Sequence, residues 1–288
     1  MSVARTSLWA VAALALAIPA AAQGQSAGSP GVASAWLDLS SARMRLVGGP
    51  SPDKRAKSFL AGVEIALAEG WKTYWRTPGD AGVPPTFDWA GSLNVSAVGV
   101  RYPAPMRLPE PAAETIGYKG TLLFPLLVTP SDAARPVSLK LTLSLGICRE
   151  ICIPAEAKLE LTLAPSQLAA DALPALVAAL ERVPRPQESR RPGDPKLERV
   201  TPSLDGERPR LVIEARFPQN PRKVDAFIEA PDGLYVPQPK RLPDDATGTA
   251  RFEVDLSRGD IARDLRGKTL TVTLVGDGGA SEATWRAP

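Results

Sequence analysis

The 288-residue chain contains no histidine. That absence excludes more than any motif in it proves, because Ser-His-Asp and Cys-His catalysis, His-ligated zinc and c-type haem attachment all require an imidazole. Most hydrolase chemistry is set aside at once. A dominant charge is also lacking: 34 basic residues stand against 31 acidic ones, which gives no case for nucleic acid or a strongly anionic surface as partner. Long apolar runs are missing too, since even the stretch from Ser7 to Ala22 falls short of the ~20 residues that a membrane span needs. Cysteine occurs only as Cys148 and Cys152.

What is present begins with a leader. M-S-V-A-R-T gives a basic start, the residues from Ser7 an apolar stretch, and Ala20 to Ala22 an A-x-A end, the layout of a secretory signal over residues 1–22. No cysteine stands at the cleavage region, which argues against a lipid anchor. The mature chain is therefore expected to be exported and soluble, with no membrane span. Its length suits two domains. The 30 prolines, about twice the usual ~5%, favour turns and loops over long helices.

Strand signals dominate the mature chain. Phe59, Ala61, Val63, Ile65 and Leu67 alternate along one segment, and Val137, Leu139, Leu141, Leu143 and Leu145 along another, each predicting a strand with one buried face. Further strands are expected at Leu93–Tyr102, Thr121–Thr129 and Lys158–Leu163. Between Gly70 and Trp89, the rings of Trp71, Tyr74, Trp75, Phe87 and Trp89 crowd among turn residues, either as core filler at a sheet end or as a surface shielding something reactive. Ser166–Val183 reads as a helix interrupted near Pro174. The prolines and charges of Pro184–Pro195 mark an exposed linker. Beyond it, Arg210–Phe217, Lys223–Glu229, Thr249–Leu256 and Thr269–Val275 repeat the strand pattern. The fold class is all-β, two immunoglobulin-like β-sandwich domains with one helical segment near the end of the first. The expected divisions are 23–183 for the first domain, 184–196 for the linker and 197–288 for the second.

An exported protein with only two cysteines is expected to join them. A disulfide needs Cα atoms roughly 4.4 to 6.8 Å apart, whereas four residues of extended strand cover about 13 Å. The strand ending near Leu145 is therefore expected to turn at Gly146, with 148–152 in a tight or helical turn. As a staple, a loop of about five residues contributes only about 2 kcal/mol, the weak end of the disulfide range. A redox role has a physical reason, since a small ring near the surface is readily opened by an attacking thiolate and its second cysteine resolves the mixed disulfide. Soft-metal capture is a third reading, Cu(I) held by Cys148 and Cys152, although with no histidine and only Met44 and Met106 left after processing further ligands are scarce.

Four ordered blocks narrow these readings: G-W-K-T-Y-W-R-T-P-G-D-A-G-V-P-P from Gly70, R-Y-P-A-P from Arg101, I-G-Y-K-G from Ile116, and G-I-C-R-E-I-C-I-P from Gly146. Over roughly Ala35 to Leu163 the chain resembles the N-terminal periplasmic domain of the thiol:disulfide interchange protein DsbD family, and more closely its ScsB-like, copper-sensitivity-suppressor group. The resemblance implies a periplasmic relay without a cofactor, cycling between dithiol and disulfide. Its electrons would come from a thioredoxin-like domain or membrane thiol reductase and go to an oxidised periplasmic protein. It also implies Cys152 as the exchanging sulfur, Cys148 as its resolving partner, Tyr118 as an aromatic cap, and Tyr74 and Trp71 packed beside the site. The Cys-x3-Cys spacing fits the ScsB-like group, and with no thioredoxin-like domain following, the donor is expected to be a separate protein. A non-catalytic binding module with a structural disulfide and a Cu(I)-handling protein of a copper-tolerance system are the rival readings.

Overall fold

The computed structural model describes residues 33–50, 57–109, 114–167, 174–218, 223–243 and 249–288. The leader expected at 1–22 lies outside them. Gly31–Pro288 forms one compact unit, and its described part holds two β-sandwiches.

In the first sandwich, β1 (Leu37–Asp38), β2 (Ala42–Gly49), β3 (Phe59–Leu67), β4 (Lys72–Gly79), β5 (Thr86–Asp88), β6 (Val95–Val100), β7 (Met106–Pro109), β8 (Glu114–Lys119), β9 (Thr121–Pro130), β10 (Val137–Cys148) and β11 (Cys152–Leu163) follow in order. They build a five-stranded sheet, β1-β2-β3-β9-β6, and a six-stranded one, β11-β10-β4-β8-β7 with β5 also on β10. Alternation does the work that the sequence implied. Val137, Leu139, Leu141, Leu143 and Leu145 of β10 face Met44, Leu46, Val63, Ile65, Phe124 and Leu126 of the other sheet in one core, with inward and outward residues set by the strand's period of two.

On β3 the period is interrupted, because Leu60 is buried as well as Phe59 and Ala61. The reason is α1 (Pro174–Glu181), whose Leu176 packs with Val47 and Leu60 on the sheet's outer side. The described part of the helix runs from Pro174 to Glu181. Residues 168–173, where the sequence suggested its earlier half, lie outside the described part.

The second sandwich contains β12 (Arg185–Pro186), β13 (Lys196–Ser203), β14 (Arg210–Arg216), β15 (Val224–Glu229), β16 (Lys240–Arg241), β17 (Thr249–Asp255), β18 (Thr269–Gly276) and β19 (Gly279–Arg286), with a short α2 (Ile261–Asp264) before β18. Its sheets run β12-β19-β18-β15 and β13-β14-β17-β16. The segment read as an exposed linker is bound into this sandwich. Arg185 and Pro186 pair in parallel with Ser281 and Glu282, and Asp194 is buried against the Arg185 guanidinium at 2.8 Å. Proline density there reflects a corner beside a sheet, not a free tether.

The sandwiches meet through β4 and β15. On β15, Ala226 and Ile228 point into the second core, and the intervening Phe227 belongs to the first. Its ring centroid lies 5.7 Å from that of Trp75. Around this contact, the Arg76 guanidinium donates to both carboxylate oxygens of Glu229, at 2.9 and 2.7 Å, and the Thr77 hydroxyl donates to Glu229 at 2.7 Å. Arg107 of β7 donates to Asp225 at 2.9 Å and to the Ala226 carbonyl at 3.0 Å. Burial pushes the Asp225 carboxyl above its ordinary value, with Arg107 opposing the shift.

Candidate redox site

The two cysteines close the β10–β11 hairpin. Cys148 and Cys152 are the last Cα partners of the ladder, following Gly146↔Pro154 and Ile147↔Ile153, and they are joined by a disulfide with Cα atoms 4.1 Å apart. The expected departure from the strand at Gly146 is thus corrected, because the strand continues to Cys148 and the chain reverses over Arg149, Glu150 and Ile151. Directly opposed residues of an antiparallel pair already lie about 4.5–5.5 Å apart. Cross-strand pairing therefore brings the two cysteines within disulfide reach, at a separation just under the usual range.

The pleat decides what surrounds the sulfurs. Ile147 faces the core and pairs with Thr73, so Cys148 points to the sheet's outer face, as does Tyr74, the neighbour of Thr73 on β4. The Tyr74 hydroxyl donates to Cys148 Sγ at 2.9 Å and lies 3.2 Å from Cys152 Sγ. Cys148 is only 1% exposed, although it lies on an outer face. Cys152 is exposed. Cys152 is therefore the more accessible residue of the pair, while the phenol lies within reach of both sulfurs.

Two glycines make room for that phenol. A Cβ on Gly146 would stand 3.2 Å from Tyr74 Cε2 and 3.3 Å from Val83 Cβ. Gly82, at a φ of 123° that disfavours other residues, would bring a Cβ within 2.7 Å of Tyr74 Cδ1 and Cε1. The Tyr74 ring is thus flanked by Gly146 on the neighbouring strand and by the loop that follows β4. Exposed Val83, Ile151 and Ile153 leave an apolar surface close to Cys152.

The remaining aromatics divide. Trp71 is half-buried, with the Arg149 guanidinium 5.6 Å from its ring centroid, which places it at the base of the cysteine turn. Tyr118 pairs with Thr73 and therefore points to the core face, where its hydroxyl donates to the Pro103 carbonyl at 2.8 Å and its ring meets Phe124 edge-on. Burial pushes the Tyr118 phenol well above its ordinary value. The structure thus brings Cys148, Cys152 and Tyr74 together, sets Trp71 beside their turn, and puts Tyr118 in the core. Of the two methionines that follow the leader, Met44 is in the core and Met106 is exposed on β7. Gly82 is legible in the sequence only as a turn residue, and Val83 only as a member of the D-A-G-V-P-P part of the block from Gly70.

Comparison with known proteins supplies the family. Residues 51–164 match the family model described as the N-terminal domain of thiol:disulfide interchange protein DsbD. Over those residues the first sandwich is similar to the DsbD N-terminal domain. This bears out the resemblance seen in the sequence blocks and ties the cysteine hairpin to the thiol-disulfide interchange family. Residues 182–287 match a domain of unknown function (DUF8393), so the second sandwich has a family but no assigned role. Among solved structures, the crystal structure of the N-terminal periplasmic domain of ScsB from Proteus mirabilis is similar over 89% of this chain and 98% of that one, at 22% identity and a TM-score of 0.67. That likeness carries the two-sandwich fold beyond the DsbD N-terminal part. No curated protein matches the chain. Among the described residues, no helix is long and apolar enough to cross a membrane.

Proposed function

We propose that the protein is a periplasmic thiol-disulfide relay working through the Cys148–Cys152 pair, with Cys152 as the exchanging sulfur. The observation that carries this reading is the asymmetry of the pair, an exposed Cys152 bonded to a buried Cys148 whose sulfur accepts the Tyr74 hydroxyl. A donor thiolate attacks Cys152 Sγ, the Cys148–Cys152 bond breaks, and Cys148 leaves as a thiolate that Tyr74 stabilises by hydrogen bonding. The donor's second thiolate then attacks its own sulfur in the mixed disulfide and releases Cys152. The donor becomes a disulfide and the pair a dithiol. In the forward half of the cycle the Cys152 thiolate attacks an acceptor disulfide, and Cys148 resolves the adduct. A thioredoxin-like domain or membrane thiol reductase is the donor and an oxidised periplasmic protein the acceptor. The likeness to the N-terminal periplasmic domain of ScsB supports the compartment. Tyr118, named as cap by the resemblance, acts in this scheme from inside the core by supporting β8 next to β4.

The test uses a Cys148→Ser variant, which leaves Cys152 without its resolving thiol. Mixed with an oxidised thioredoxin-like protein, it is expected to accumulate a mixed disulfide through Cys152, read by non-reducing mass spectrometry, and Cys152→Ser is expected to give none. Absence of that adduct, together with a wild-type reduction potential below about −300 mV, would mark the bond as structural instead.

A further inference from the structure

From Lys72 to Pro85 the chain runs from the sulfurs to the second sandwich and back again. Tyr74 carries the hydroxyl at the disulfide. Trp75 meets Phe227, and Arg76 and Thr77 are bonded to Glu229. The chain then leaves β4, and Asp80 accepts a hydrogen bond from the hydroxyl of Tyr235 in the second sandwich. The Asp80 backbone N–H also donates to the Glu114 carbonyl at 3.1 Å. Two residues later, Gly82 lies against the Tyr74 ring and Val83 stands beside Gly146.

The loop has little core of its own. Ala81, Gly82, Val83 and Pro84 are exposed and Pro85, which leads into β5, is buried, so between that anchor and β4 the loop's position depends on the few hydrogen bonds at its start, as is general for segments that bury little apolar surface. One of those bonds comes from the other sandwich. Burial and the Asp80 carboxylate push the Tyr235 phenol up to about 12, so it remains a donor throughout the neutral range.

We propose that the second sandwich is a positioning element of the redox site: the Tyr235–Asp80 hydrogen bond latches the loop 80–85 against Tyr74 and so keeps the Tyr74 hydroxyl on Cys148 Sγ. This rests on the reading of the pair as a working disulfide. It gives the second sandwich a task that its own residues, which include no cysteine, do not perform directly. Tyr235 and Asp80 act only through Tyr74, and that dependence makes the proposal testable.

The experiment measures the rate constant for reduction of the full-length oxidised protein by dithiothreitol, using acid quench and thiol alkylation. Tyr235→Phe is expected to slow reduction about fivefold, the scale of one partly exposed hydrogen bond to a charged group. Asp80→Ala is expected to slow it equally, and the double variant no further. In a Tyr74→Phe background the Tyr235→Phe change is expected to have no effect. Asp194→Asn, which weakens the buried Arg185–Asp194 ion pair of the second sandwich and touches neither the loop nor its hydrogen-bond partners, is expected to lower the melting temperature and leave the rate constant unchanged. A Tyr235→Phe rate within twofold of wild type would overturn the proposal. So would faster reduction, or the same slowing in the Tyr74→Phe background. Because dithiothreitol needs no docking surface, this outcome is separate from failure of the relay reading, which shows as a missing Cys152 adduct.

Discussion

Replacing Tyr74 by phenylalanine removes one oxygen atom and leaves the ring between Gly146 and Gly82. The lost hydroxyl donates to Cys148 Sγ at 2.9 Å, and its importance differs between the two redox states. In the disulfide the sulfur is a weak, neutral acceptor, so the oxidised protein is expected to lose only about 1 kcal/mol of stability. When Cys148 leaves as a thiolate the same contact becomes charge-assisted, worth about 1.5–3 kcal/mol. With part of that charge developed in the transition state, reduction by a thiol is expected to slow about tenfold. If the reduced protein loses ~1.4 kcal/mol more than the oxidised one, the potential falls by about 30 mV. Stopped reactions with dithiothreitol give the rate, equilibration with a glutathione buffer gives the potential, and a melting curve checks that the fold is intact. A Tyr74→Phe rate within twofold of wild type in a natively melting protein would refute the leaving-group argument. Faster reduction would also refute it, by showing that the phenol acts as a shield.

The other expectations concern the packing that holds this geometry. Gly146→Ala brings a methyl group to 3.2 Å from Tyr74 and 3.3 Å from Val83, so it should cost about 1–2 kcal/mol in a urea titration and slow reduction by moving the ring. Glu229→Gln leaves Arg76, whose pKa is raised through its contacts with Glu229 and Glu282 against the cost of burial, with a weaker partner. A loss of about 2–3 kcal/mol is expected, read as a lower midpoint in denaturant. Tyr235 also gives a pH signature: its folded-state value is raised to about 12 by burial and by Asp80, from about 10 in an unfolded chain. Its stabilising contribution is therefore complete below about pH 10 and is lost as pH rises toward about 12. The gap in melting temperature between wild type and Tyr235→Phe should shrink between pH 9 and pH 11.5, and a constant gap would argue against the hydrogen bond.

Legibility in the sequence followed how many faces of each strand are buried. On β10, core and surface alternate from Val137 to Leu145, and the strand could be read directly. On β4, Lys72, Thr73, Tyr74 and Trp75 are all buried, because the core covers one face and the cysteine hairpin with its loop covers the other. No period of two survives there, and the segment looked like a string of turns. The cysteine turn was read along one chain, where a spacing of four implies a tight bend, although cross-strand pairing satisfies the same distance. Tyr74 was noted only as a neighbour of the site, since nothing in G-W-K-T-Y-W says which rings face outward until the Ile147↔Thr73 register is known. Phe227 carried no signal at all. Its place is set by a contact between two sandwiches that are far apart in sequence.

That contact has a consequence for how the molecule can be divided. With Phe227 fully buried in the first core, a fragment ending before β12 would expose part of Trp75 and leave a phenyl-sized notch in its own interior, a defect that costs about 3–5 kcal/mol in comparable truncations. The smallest piece that keeps the redox hairpin at full strength is therefore larger than the sandwich that contains it, and heating should melt both sandwiches in one transition.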